Sequence, residues 1–158
     1  MLIKSKENIM DQASKDYALE ILDSATNVTL ATIRPDGYPQ ATIVNYIHEG
    51  LAIYIGVGKD SQKVKNIEHC NKVSLAVNAD FTDWEHVHGL SLGGVAEVVT
   101  EAAESARIEA IMDAKFPDIQ EWAHSDARHT IVFLKVTPQV ISLLNYEKGV
   151  GHAELETV

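Results

Sequence analysis

The sequence predicts a mainly β fold: an antiparallel barrel of six or seven strands with accessory helices. Three observations carry that prediction. Short runs rich in β-branched and apolar residues recur at residues 28–33, 39–47, 51–57, 73–78, 90–99, 130–136 and 140–145. Tight-turn signals separate the first three runs, Arg34-Pro35-Asp36-Gly37 and then His48-Glu49-Gly50. Helical periodicity is confined to the N-terminal segment, a short stretch after the third run and an insertion after the fifth.

Taken in order, residues 6–25 read as a helix, with Ala18, Ile21, Leu22 and Ala25 on one apolar stripe and Asn27 as its stop. Residues 28–33 and 39–47 form a hairpin about the proline–glycine turn. In the third strand Leu51, Ile53, Ile55 and Val57 alternate with Ala52, Tyr54 and Gly56, giving one strongly apolar face. A short helix over Ser61-Gln62-Lys63-Val64-Lys65-Asn66-Ile67 follows, then a fourth strand marked by Val73, Leu75 and Val77. Residues 80–88 are polar and aromatic and predict a loop. Residues 90–99 form the fifth strand, where Gly93-Gly94 predicts a bulge or close backbone approach. Thr100 is the expected N-cap of the next helix, whose stripe is Ile108, Ile111, Met112 and Phe116. Pro117 ends that helix, and a second short one is expected through Trp122. The sixth strand, 130–136, is expected to break at Pro138 and resume at 140–145, leaving residues 146–158 as a frayed tail.

With 158 residues, no repeat and no linker-like stretch, the chain is expected to form one domain over 1–158. The net charge of −10 argues against nucleic acid, whose binding requires clustered cations. No apolar run is long enough to suggest a membrane span or a signal peptide. Cys70 is the only cysteine, so no disulfide framework is available and a cytoplasmic location is expected. Against the acidic background, Lys59, Lys63, Lys65 and Lys72 form a local basic cluster that suits a small anionic ligand. Ser61 and Lys63 open a helix directly after a strand that carries Gly56 and Gly58, and helix N-termini attract anions. The same residues read equally well as a capping serine and solvated lysines.

This order of elements, with its Ser-x-Lys at 61–63 and Asn66-Ile67 continuation, resembles the pyridoxamine 5′-phosphate oxidase-like family of FMN-binding split barrels. The resemblance implies FMN as cofactor, flavin redox chemistry with a small-molecule partner, and a homodimer with its site at the subunit interface. It carries the phosphate role to Ser61 and Lys63 and flavin contact to Thr42, Ile43, Val44, Asn45, Ile55, Gly56 and, by a looser match, Gly89. The chain also departs from the family. The second strand lacks the arginine and lysine of the true oxidases, and no arginine follows Arg128, so pyridoxamine phosphate oxidation itself is not expected.

Alternatives of the same fold are a deazaflavin-dependent reductase, a non-catalytic flavin or haem module linked to stress, and a protein whose site has lapsed. Tyr146, Lys148 and His152 in the tail are candidates to approach a ligand or a partner subunit, and His124, His129 and His152 to ligate haem. Trp122 is a candidate to stack on a ring system. His86 and His88 would share a face if extended, but no third ligand follows at useful spacing and no metal site is assigned. No catalytic acid or base is legible, and neither a nucleophile elbow nor a dinucleotide fingerprint is present.

Overall fold

The computed structural model describes residues 9–118 and 130–158; Trp122, His124 and His129, and the short helix expected there, lie outside those residues. Three helices are described, α1 (Gln12–Ser24), α2 (Gln62–His69) and α3 (Ala102–Lys115). The strands are β1 (Asn27–Ile33), β2 (Pro39–Asn45), β3 (Ile47–Glu49), β4 (Ala52–Gly58), β5 (Lys72–Asn78), β6 (His88–Val98), β7 (Ile131–Asn145) and β8 (Ala153–Thr157). No described helix is long and apolar enough to cross a membrane.

All strand pairs are antiparallel, and the strand path runs β2-β1-β5-β6-β7-β4-β3, with β8 added alongside β7. This order forces curvature. β2 and β3 are the two ends of the path, yet only Tyr46 separates them in sequence. A flat sheet of that order would hold its ends about 29 Å apart at the usual strand spacing, whereas the two-residue step from Asn45 to Ile47 reaches about 7 Å. The sheet therefore curls until its ends meet, making a split barrel. Tyr46 is fully buried at the junction, and its hydroxyl donates to the Leu22 carbonyl of α1 at 2.6 Å. Burial raises its pKa to about 12, so the donor proton stays in place.

The inner face supplies the core. Val28 and Leu30 of β1, Ile53 and Ile55 of β4, Leu75 of β5, Leu92 of β6 and Leu134, Val136 and Ile141 of β7 pack with Ala18, Ile21 and Leu22 of α1. A smaller cluster on the other face of β4 and β7 seats α3, with Ile108 and Met112 against Ile47, Tyr54 and Phe133. Glu104 anchors the helix there, accepting from Tyr54 Oη at 2.8 Å and Lys135 Nζ at 3.0 Å.

Several boundaries differ from expectation, each for a local reason. α1 begins at Gln12, because the Asp11 carboxylate caps Ser14 N–H at 2.8 Å; Ile9 instead forms a parallel bridge to Thr157. The run 39–47 is divided at Tyr46, and His48 and Glu49 belong to β3, so the turn falls at Gly50 and Leu51. Glu101, not Thr100, caps α3, its carboxylate accepting from the N–H groups of Ala103 and Glu104. Residues 84–86 form one turn of 3-10 helix within the expected loop. Ile111 is partly exposed and not part of the buried stripe.

β7 runs unbroken through Pro138, because the bulge expected at Gly93-Gly94 accommodates it. Gly93 pairs with Val140 and Gly94 with Pro138, leaving Gln139 as the extra residue, whose carbonyl accepts from Val158 N–H at 3.1 Å. A Cβ at Gly94 would lie 2.5 Å from the Thr137 carbonyl oxygen, so the bulge requires glycine. The expected frayed tail is instead a short 3-10 turn at Tyr146–Lys148 followed by β8.

Candidate functional site

The barrel is open along one line. β3 pairs with β4 only as far as Ile47 opposite Tyr54. Continuing that register would set Asn45 across from Gly56 and Ile43 across from Gly58, but β2 and β4 approach each other there without a ladder. Both strands therefore turn a backbone edge toward a slit. In an open sheet such an edge offers unpaired N–H and C=O groups to whatever fills it. Ile43, Val44, Asn45, Ile55 and Gly56, singled out in the sequence, all border this slit.

At its end the chain leaves β4 through Gly58 and starts α2. Ser61 N–H donates to the Gly58 carbonyl at 3.0 Å, and the first helical bond, Lys65 N–H to the Ser61 carbonyl, follows. The N–H groups of Gln62, Lys63 and Val64 precede that bond and are the helix's unfilled donors. Asp11 and Glu101 cap α1 and α3 with their side chains, but Ser61 makes no side-chain cap bond. Its Oγ is buried and has no hydrogen-bond partner among the described residues. A buried hydroxyl left unpaired beside free helix donors is costly unless an acceptor completes it. Lys63, half-exposed on the same turn, forms no ion pair with a described residue. One hydroxyl, one free ammonium and a helix N-terminus together have the donor set of a phosphomonoester site.

Beneath this turn lies a polar contact whose role the sequence did not reveal. Asn66 is fully buried on the inner side of α2, between Val64 and Ile67. Its amide donates to Thr32 Oγ1 and to Gln40 Oε1, each at 2.9 Å, and accepts from Gln62 Nε2 at 2.8 Å. The available signal was an asparagine on the apolar stripe of an amphipathic helix.

The remaining candidates separate by place. Thr42 and Val44 face inward from β2, whereas Asn45 and Ile43, the latter 75% exposed, face outward. Ile55 is completely buried in the core, so only its backbone can meet a ligand. A Cβ at Gly56 would make ordinary contact with Phe133, 3.5 Å away, so packing alone does not demand glycine there. Gly89 is not brought to the slit of its own chain. It pairs with Asn78 and with Leu144 near the end of β7, while Gly58 pairs with Ile131 at the start. Its Cβ would lie 2.9 Å from the Val77 carbonyl oxygen, so close β5–β6 packing explains that glycine.

His86 and His88 have different hydrogen-bond partners. His86 Nδ1 meets Asp83 Oδ1 at 2.7 Å, which raises the imidazole pKa, while His88 Nδ1 meets Tyr17 Oη at 2.6 Å. Among the described residues no group of three potential ligands is arranged for a metal ion. Lys148 and His152 both bond to Glu154 Oε1 at 2.8 Å, within their own segment. A separate open cavity of about 430 Å³ is bordered by Glu85, His86, Tyr146, Glu147, Gly149 and Val150. Its two carboxylates make it a poor receptor for phosphate.

The fold is that of a split-barrel protein whose opening ends at the first turn of α2. The chain belongs to the pyridoxamine 5′-phosphate oxidase family, whose model matches residues 14–145. It is 25% identical over 138 residues to general stress protein 26 of Bacillus subtilis (strain 168), covering 85% of this chain and 90% of that one. Solved structures extend the likeness of fold. A heme-binding protein from Mycobacterium smegmatis superposes with a TM-score of 0.77 at 22% identity, over 94% of this chain and 59% of that longer one. The heme storage protein HutZ from Vibrio cholerae superposes with a TM-score of 0.62 at 16% identity, over 82% of this chain and 90% of that one.

Proposed function

We propose that this chain binds FMN and serves as a flavin-dependent oxidoreductase. The observation that carries the reading is the buried, unpartnered Ser61 Oγ beside Lys63 and the free first-turn N–H groups of α2. Those groups hold the phosphate. The backbone edges of β2 and β4 hold the ring, with N–H donors available where negative charge gathers on a reduced flavin. A bound flavin supplies hydride or electron transfer, and the protein supplies position and electrostatics. In this reading the chain works as a homodimer, because the slit and the exposed face of β2 leave backbone and apolar surface for a partner to cover.

Pyridoxamine phosphate oxidation is not part of the proposal. β2 carries no arginine or lysine, Arg34 is paired with Asp36 at 2.9 Å and Arg107 is paired with Glu49. The likeness of fold to two heme proteins favours a second reading, a haem module, but a phosphate cradle suits FMN better. An absorption spectrum of the purified protein, with and without added FMN, separates them. Flavin bands that persist through gel filtration support the proposal. A Soret band supports haem, and a colourless protein that ignores FMN overturns the flavin reading.

A further inference from the structure

Asn66 joins the two halves of the candidate site. Thr32 of β1 and Gln40 of β2 are direct cross-strand partners, and both amide protons of Asn66 go to this one pair. Its carbonyl oxygen accepts from Gln62, the first residue of α2. One buried side chain therefore ties the start of the helix to the hairpin whose second strand borders the slit. Rotamer freedom is small at a fully buried position with three bonds, so the contact is stiff.

We propose that Asn66 is a positioning residue that sets the span between the phosphate cradle at Ser61 and Lys63 and the ring-binding edge of β2. This rests on the FMN reading above. A ligand with an anionic tail and a flat ring gains from both ends only when the two receptors are held at the right separation. Asn66 itself lies beneath the helix, at 0% exposure, and is not placed to touch the ligand. Loss of the tie loosens the helix against β2, and the tail contact no longer adds fully to the ring contact. FMN affinity then falls toward that of riboflavin, which lacks the phosphate.

The test is the ratio of FMN to riboflavin dissociation constants, measured by flavin fluorescence on the full chain. Asn66→Ala and the double variant Thr32→Val/Gln40→Leu, which removes both acceptors while keeping Asn66, are compared with the parent. A fall of about tenfold in the preference for FMN, with riboflavin affinity changed less than about twofold, is the expected result. The double variant keeps the test open if Asn66→Ala does not fold. A cycle with Lys63→Ala adds the readout that a purely structural role would not move. If Asn66 acts through the cradle, its replacement costs much less once Lys63 is gone. A parent that prefers FMN and variants that keep the full preference overturn this inference and leave the FMN reading standing. A parent that binds neither flavin overturns both.

Discussion

Replacing Ser61 with alanine is expected to move stability and ligand affinity in opposite directions. A serine that caps its helix costs about 0.5–2 kcal/mol when truncated to alanine, because a helix donor loses its acceptor. Ser61 stands at the N-cap position of α2 but makes no side-chain cap bond. Its Oγ is instead buried and unpartnered, a state that costs about 1–3 kcal/mol in desolvation. Alanine removes the penalty and no bond, so the ligand-free variant should be as stable as the parent or more so, by about 1 kcal/mol. For a chain of this size that corresponds to a melting temperature about 2–4 °C higher. With FMN present the same atom becomes a donor to a charged oxygen. Its loss removes about 1.5–3 kcal/mol, a tenfold to roughly 150-fold weaker dissociation constant. Thermal melts of the ligand-free protein and fluorescence titrations with FMN and riboflavin measure both effects. A destabilised ligand-free variant with unchanged FMN affinity would show that the hydroxyl is an ordinary cap and refute the reasoning.

Further outcomes follow from the same geometry. Lys63→Ala should weaken FMN binding by about tenfold, the lower end of a charge-assisted contact because the lysine is half-exposed, and should flatten the salt dependence of the titration. Gly94→Ala should destabilise the fold by about 1–3 kcal/mol in urea, since its Cβ would lie 2.5 Å from a backbone oxygen, whereas Gly56→Ala should leave the midpoint nearly unchanged. Hydrogen bonds from Lys135 and Tyr54 hold the Glu104 carboxyl below its usual value. A depressed folded pKa contributes stability above the unfolded value and loses it as the pH falls through the folded one. The stability difference between the parent and Glu104→Gln should therefore be full at neutral pH and vanish in acid, as denaturation midpoints across that range would report.

Most strands were legible because each carries its own signal. Alternation in β4 and β5 and the proline–glycine turn before β2 are local, and the structure keeps them. What sequence could not show depended on partners far along the chain. Pro138 passes for a strand breaker until it is set opposite Gly94 of β6, beside the bulge at Gln139. β8 holds a strand conformation by pairing along β7, despite Leu155 being 65% exposed. The break at Tyr46 is fixed by a bond to Leu22, 24 residues away in sequence.

The site divided in the same way. The placement of Ser61 and Lys63 at the start of α2 was readable because spacing on one helical turn is local. The slit was not, because it is defined by hydrogen bonds that β2 and β4 do not make. The tie through Asn66 stayed hidden because its partners lie 34 and 26 residues away. Gly89 shows the converse, since a glycine required by close strand packing looks in sequence like one that admits a ligand.

A crystal structure of the protein grown with FMN tests the central claim most directly. The account predicts the phosphate on the first turn of α2, within hydrogen-bond reach of Ser61 Oγ and Lys63 Nζ, and the ring along the edge of β2. A phosphate bound elsewhere, or a slit closed by side chains with FMN in excess, would contradict it.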